Sequence, residues 1–371
     1  MLPRVASSIE IRKPALQKVV ANLGAAGFTV MGPVVRDGAI MIGEIASIDQ
    51  LPAGWVDDQR SGSWRLEASP DAGYFTHTLG PDSWKRLLYP PRTPLFSARP
   101  GEGGIRFSHD PQPPPRYACL GVRSCDLQAI ALQDRVFING RWTDPSYAGR
   151  RAALFVLAVH CTRPSANCFC ASMETGPRAA GGFDLALTEL PDGFVIYVGS
   201  EAGSEAMRDT AWSAATAYDL GRARTLLDAA ERRMPREVRT EGLAARLFER
   251  LDHPRWKELG ERCLSCGNCT MVCPTCFCST VDERLDFRDD TSVRERVWDS
   301  CFSTAFSHVH GGNIRPTVAS RYRQFVTHKF ASWKEQFGAF GCVGCGRCIA
   351  WCPAGIDLAA ELETLASGRS A

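Results

Sequence analysis

The chain has 371 residues, 44% of them hydrophobic and 23% charged, with a formal net charge of +2. That balance describes a globular chain of two or three domains and excludes a nucleic-acid binder driven by net charge. No apolar run reaches the roughly 18 residues of a membrane span, and the N-terminus has neither a signal-peptide core nor a twin-arginine run. A cytoplasmic location is therefore expected, and there the sixteen cysteines favour metal over disulfide.

Residues 1–90 read as mixed α/β. A helix is expected at 14–27 on the spacing of Leu16, Val19, Val20 and Leu23, and a strand at 39–45. Trp55, Trp64, Tyr74, Phe75 and Trp84 read as packing residues. Residues 90–115, rich in Pro and Gly, read as a surface loop. Residues 117–122 read as a buried strand with Cys119 as a core thiol. Cys125 and Asp126 stand at its end, and residues 127–137 read as a helix that Asp126 would cap. A second buried strand, 152–159, ends at His160-Cys161, with Cys168-Phe-Cys170 shortly after. Ligands of open α/β sheets sit at the carboxyl ends of strands. Cys125, Cys161, Cys168 and Cys170 thus supply four thiolates for a third [4Fe–4S] cluster, with zinc or plain core packing as the alternatives. A strand at 194–198, arginine-rich helices over 204–234 and a short helix at 241–251 complete an N-terminal mixed α/β domain, 1–240.

The second domain, 241–371, is organised by two matched runs. The first is Cys263-Leu-Ser-Cys266-Gly-Asn-Cys269-Thr-Met-Val-Cys273-Pro274. The second is Cys342-Val-Gly-Cys345-Gly-Arg-Cys348-Ile-Ala-Trp-Cys352-Pro353. A cubane needs one thiolate per iron, and a tight loop reaches only three corners. In two-cluster ferredoxins the fourth cysteine of each run serves the other cluster. On that rule Cys263, Cys266, Cys269 and Cys352 hold one [4Fe–4S] cluster, and Cys342, Cys345, Cys348 and Cys273 hold the other. Structural zinc uses separated Cys-x-x-Cys pairs instead. The expected fold is a bacterial-type two-cluster ferredoxin-like domain with a helical insertion at 275–341. Within that insertion Tyr322, Phe325, Val326, Phe330, Trp333 and Phe337 recur at helical spacing, and His308, His310 and His328 read as structural. Cys276, Cys278 and Cys301 exceed the needs of the two clusters. They would either shield and tune a neighbour or form a further site with Asp299 or a histidine.

Several segments together resemble one family: Gly121-Val-Arg-Ser-Cys125-Asp126, Cys168-Phe-Cys170, Cys273-Pro-Thr-Cys276-Phe-Cys278, Trp298-Asp-Ser-Cys301, Arg321-Tyr-Arg, His328-Lys-Phe330 and Cys345-Gly-Arg-Cys348. They are similar to the β subunits of soluble NAD(P)-linked nickel–iron hydrogenases, the sulfhydrogenases, and to the A subunit of anaerobic sulfite reductase. The resemblance runs from about 116 to 358. It departs at His308-Val-His310-Gly-Gly-Asn313-Ile-Arg315, where the family form has His-Asn, an aromatic and Arg. The resemblance implies a non-catalytic electron-transfer subunit. Its partners would be a flavin subunit handling NAD(P)H and the small and large subunits of a nickel–iron hydrogenase, or a sirohaem subunit. No Gly-x-Gly-x-x-Gly opens a helix here and no Walker sequence occurs, so flavin, NAD(P)H and nickel are expected on the partners. Two other readings stand beside it: a redox enzyme with an open iron among Cys276, Cys278 and Cys301, and a non-redox metal scaffold.

Overall fold

A computed structural model describes residues 2–109 and 113–367. The strands are β1 (Ser8–Arg12), β2 (Thr29–Arg36), β3 (Ala39–Glu44), β4 (Trp55–Arg60), β5 (Ser63–Ala68), β6 (Arg92–Gly101) and β7 (Gly104–Ser108). They continue as β8 (Tyr117–Arg123), β9 (Phe155–Val159), β10 (Leu185–Glu189), β11 (Gly193–Val198), β12 (Ser213–Ala214), β13 (Ser279–Asp286) and β14 (Thr291–Trp298).

Eight of them form one sheet in the order β12-β1-β11-β10-β9-β8-β2-β3. Its centre is parallel, β2 with β8, β8 with β9 and β9 with β10, and its flanks are antiparallel. Parallel strands are covered on both faces and so read as continuous apolar runs. Every residue of β9 and β10 is buried accordingly. One face packs Leu120 and Leu157 on Leu16, Val19, Val20 and Leu23 of the helix Leu16–Ala25. The other packs Cys119, Val122 and Val156 on Trp84, Tyr89 and Tyr147. Cys119 is a core thiol, 2% exposed.

The β8–β9 register shifts between Leu120 and Val122. Gly121 sits there at φ +94°, and a Cβ would come within 3.2 Å of both Phe75 and Pro33. The irregularity falls just before the helix Ser124–Phe137, which carries Cys125 in its first turn.

A second sheet, β13-β14-β6-β7, joins distant parts of the chain, since β14 pairs with β6. Two expectations change here. Residues 92–108 form a β-hairpin and not a loop. The insertion at 275–341 opens with two eight-residue strands before its helices. The reason is exposure: β7 is exposed throughout and β13 nearly so. No buried face stamps a period of two on their sequences. The helical part of the insertion, Val318–Thr327 and Trp333–Phe337, is joined by a π-helical turn at His328–Ser332. Its stripe of Tyr322, Phe325, Val326 and Phe330 packs on Leu259, Ile349 and Leu362. Among the described residues, no helix is long and apolar enough to cross a membrane.

Candidate metal centres

The first cysteine run follows the helix Arg255–Arg262 and turns at Gly267, φ +77°. Cys263, Cys266 and Cys269 line a cavity, and Cys348 and Cys352 of the second run stand in the same wall. Phe302, Tyr322, Phe325, Ile356 and Leu358 close its apolar side. Cys266 is exposed, and Leu264 beside it is 66% exposed, so this site reaches the surface. Backbone N–H groups of Ser265 and Ile356 lie 3.4 Å from the sulfurs of Cys263 and Cys352. Such bonds stabilise anionic sulfur.

Cys273 is buried close to the second run, within range of its charges. The charges of Cys342, Cys345 and Cys273 all bear on Cys348. Burial pushes the Cys342 thiol up to about 12. A thiol so buried ionises on binding a metal. Lys329, in the π-helical turn, aims its ammonium at this site, 3.3 Å from Cys273 Sγ, 3.0 Å from Thr275 Oγ1 and 3.0 Å from the Gly341 carbonyl. Burial pulls the Lys329 pKa down, but Cys273, Cys276 and Cys342 together hold it well above its ordinary value. A desolvated cation persists only beside negative charge, which a thiolate-bound cluster supplies.

Cys125, Cys161, Cys168 and Cys170 line one cavity. They arrive from the ends of β8 and β9 and from the loop after β9, at the carboxyl edge of the parallel strands. Burial raises all four thiols, that of Cys168 to about 12. Arg123, Trp64 and Trp351 also line this cavity, and Arg123 Nη1, Trp64 Nε1 and Trp351 Nε1 have no hydrogen-bond partner. Buried donors without acceptors are uncommon. Three of them beside four thiols fit an anionic guest whose sulfurs accept N–H bonds.

The second and third sites share a wall. Cys345 lines the third cavity, and Arg347, two residues on, makes a bidentate ion pair with Asp126 at 2.9 and 3.1 Å. Both side chains are buried, at 6% and 1% exposure. Asp126 is therefore not a helix cap: the helix begins at Ser124 with no side-chain cap, and Asp126 anchors the C-terminal run. Phe169 N–H donates to the Gly344 carbonyl at 2.8 Å, and Thr175 Oγ1 to the Val343 carbonyl at 2.7 Å. The β4–β5 turn presses on the same run, with Gly62 N–H 3.0 Å from the Ile349 carbonyl.

Among the described residues, no three His, Cys, Asp or Glu are grouped as ligands of a single ion. The thiols of the first and third sites instead stand around spaces. His308 and His310 lie exposed on a small hairpin, while His328 packs between Phe277 and Trp333.

Comparison with known proteins agrees with this chemistry. Residues 262–356 match the 4Fe-4S dicluster domain family. Over 342 residues the chain is 32% identical to sulfhydrogenase 2 subunit beta of Pyrococcus furiosus, covering 91% of this chain and 92% of that one. The chain belongs to the sulfhydrogenase β-subunit family. It is a mixed α/β iron–sulfur protein with a C-terminal 4Fe–4S dicluster domain, and its role is that of an electron-transfer subunit. No solved structure matches the chain.

Several residues around the sites in this family member escaped sequence reasoning. Lys329, Arg347 and the orphan donors of Trp64 and Trp351 are single polar residues whose partners lie far away in sequence. The one available signal was Arg347 inside a cysteine run, where a charge is costly unless it is paired.

Proposed function

We propose that the chain relays single electrons along three [4Fe–4S] clusters, between a flavin subunit that handles NAD(P)H and a nickel–iron hydrogenase. The observation that carries this reading is the third site. Four thiols from three separate segments ring one cavity, with Cys345 of the neighbouring site in its wall. Cys125, Cys161, Cys168 and Cys170 would hold one cluster. Cys342, Cys345, Cys348 and Cys273 would hold the next, and Cys263, Cys266, Cys269 and Cys352 the outermost.

Iron–sulfur clusters, when bound, accept and release one electron at a time, which suits the path beyond a flavin that splits a hydride pair. The chain's own residues keep the sites apart, fix their order and set their electrostatics. Arg347 ties the third site to the second through Asp126. Lys329 places positive charge on Cys273, which favours the more negative, reduced state at the second site. Phe302, Tyr322 and Phe325 exclude water from one side of the first site, while Cys266 leaves its outer end open to a partner.

The test is anaerobic purification of the native complex through a tag on this chain. Nickel, flavin and NAD(P)H-dependent hydrogen exchange should come with it. Sirohaem in place of nickel would contradict the hydrogenase partner and move the relay to a sulfite reductase.

A further inference from the structure

The sheet β13-β14-β6-β7 ends in two edges of different character. β13 carries Asp282, Glu283, Arg284 and Asp286, charges of the kind that keep a free edge from pairing. β7, Gly-Ile-Arg-Phe-Ser, has one charge and no proline, and every residue of it is exposed. Its register says what that edge offers. Gly101 and Gly104 pair across a two-residue turn, so the bonds to β6 fall at Gly104, Arg106 and Ser108. Pro100, which lacks an N–H, fits this register because it sits at an unbonded pair with Ile105. The N–H and C=O groups of Ile105 and Phe107 then point away from β6, two residues apart, as the next strand of a sheet needs.

The side chains add an apolar face and a charge. Ile105 and Phe107 stand opposite Pro100 and Ala98, and the Phe107 ring meets Phe96 edge to face at 5.8 Å. They are 68% and 66% exposed, so this apolar face has no cover among the described residues. Side chains alternate across a sheet, so Arg99 and Arg106, directly opposite each other, project on the other face. Like charges so placed repel. The other arginines of the sheet have acids: Arg92 and Arg284 pair with Glu295, Arg294 with Glu283 and Arg296 with Asp144, while Arg99 and Arg106 have no ion pair among the described residues.

We propose that β7 is a docking edge for another subunit, which adds a strand of alternating apolar and acidic residues to this sheet. Main-chain bonds to Ile105 and Phe107 supply the pairing, and the apolar residues of the incoming strand cover their side chains. An incoming carboxylate stands beside Arg106 and offsets its repulsion with Arg99. A second copy of this chain does not suit the edge, because two β7 strands side by side bring four arginines together. A lipid surface meets the arginines but leaves the backbone groups of the edge unpaired. The proposal rests on the chain's role as a subunit and not on which enzyme it serves.

The test compares hydrogen exchange in the isolated full chain and in the native complex, both prepared without oxygen, at single-residue resolution. The amides of Ile105 and Phe107 should exchange freely in the isolated chain and be protected in the complex. In complex prepared with Arg106→Lys, a zero-length carbodiimide should join the substituted side chain to an Asp or Glu of another subunit. Equal exchange in both states would overturn the proposal, and protection without that link would overturn the acidic strand. Protection already present in the isolated chain, with a doubled mass, would give the edge to a second copy and overturn it too. A chain that purifies with no other subunit would instead remove the subunit reading on which the proposal rests.

Discussion

At the scale of single residues, the strongest constraint is the pair Arg347 and Asp126. Each is buried, and each satisfies the other through two hydrogen bonds. Removing one partner strands a charge where water cannot reach it, which typically costs about 3–5 kcal/mol. Arg347→Gln should therefore lower the urea midpoint sharply. Adding Asp126→Asn should recover a good part of the loss, because two neutral amides can bond to each other. Two additive losses would show that the pair does not act as a unit. Neither partner announced itself in the sequence. Asp126 stands where a helix cap would stand, and only the fold shows that the carboxylate points away to a residue 221 positions along the chain. The cysteines were far more legible. Eight of them are spaced by the reach of a loop around a cubane, which is a local property. Of the other four, Cys125 and Cys161 stand at strand ends and Cys168 and Cys170 in the loop after β9, and topology brings them together.

At the scale of elements, the glycines of the second run decide how closely it packs. Gly344 and Gly346 sit at φ +62° and +73°. A Cβ on Gly344 would lie 2.6 Å from the Phe169 carbonyl carbon, and one on Gly346 would lie 2.4 Å from the Asn167 carbonyl oxygen. Those contacts are with the loop that carries Cys168 and Cys170. Gly346→Ala combines left-handed strain with a backbone clash, so it should destabilise the protein by more than about 1 kcal/mol. It should also separate the second and third sites, which visible and paramagnetic-resonance spectra of the reduced protein would report as weaker coupling between centres. An unchanged spectrum and midpoint would contradict the tight docking. Nothing local in the sequence says what these loops press against. The sheet β13-β14-β6-β7 was illegible for the opposite reason. Its strands are held by backbone pairing with little burial, so β6 and β7 read as a loop and β13 and β14 as part of a helical insertion.

At the scale of the whole molecule, the central sheet, the C-terminal run and the helical insertion converge on two thiol-lined cavities. The parallel strands deliver the third site at their carboxyl edge. The C-terminal run lies between that site and the surface-reaching first site: Cys345 lines the third cavity, and Cys348 and Cys352 line the first. The two cavities differ in access: the third lies within the fold, and the first is open at Cys266. The account stands or falls on how many clusters the chain holds. The most direct measurement is iron and acid-labile sulfide per chain in protein purified without oxygen, for the wild type and Cys125→Ser. The account expects about twelve of each in the wild type and about eight in the variant, at four per cubane. About eight in both would contradict it.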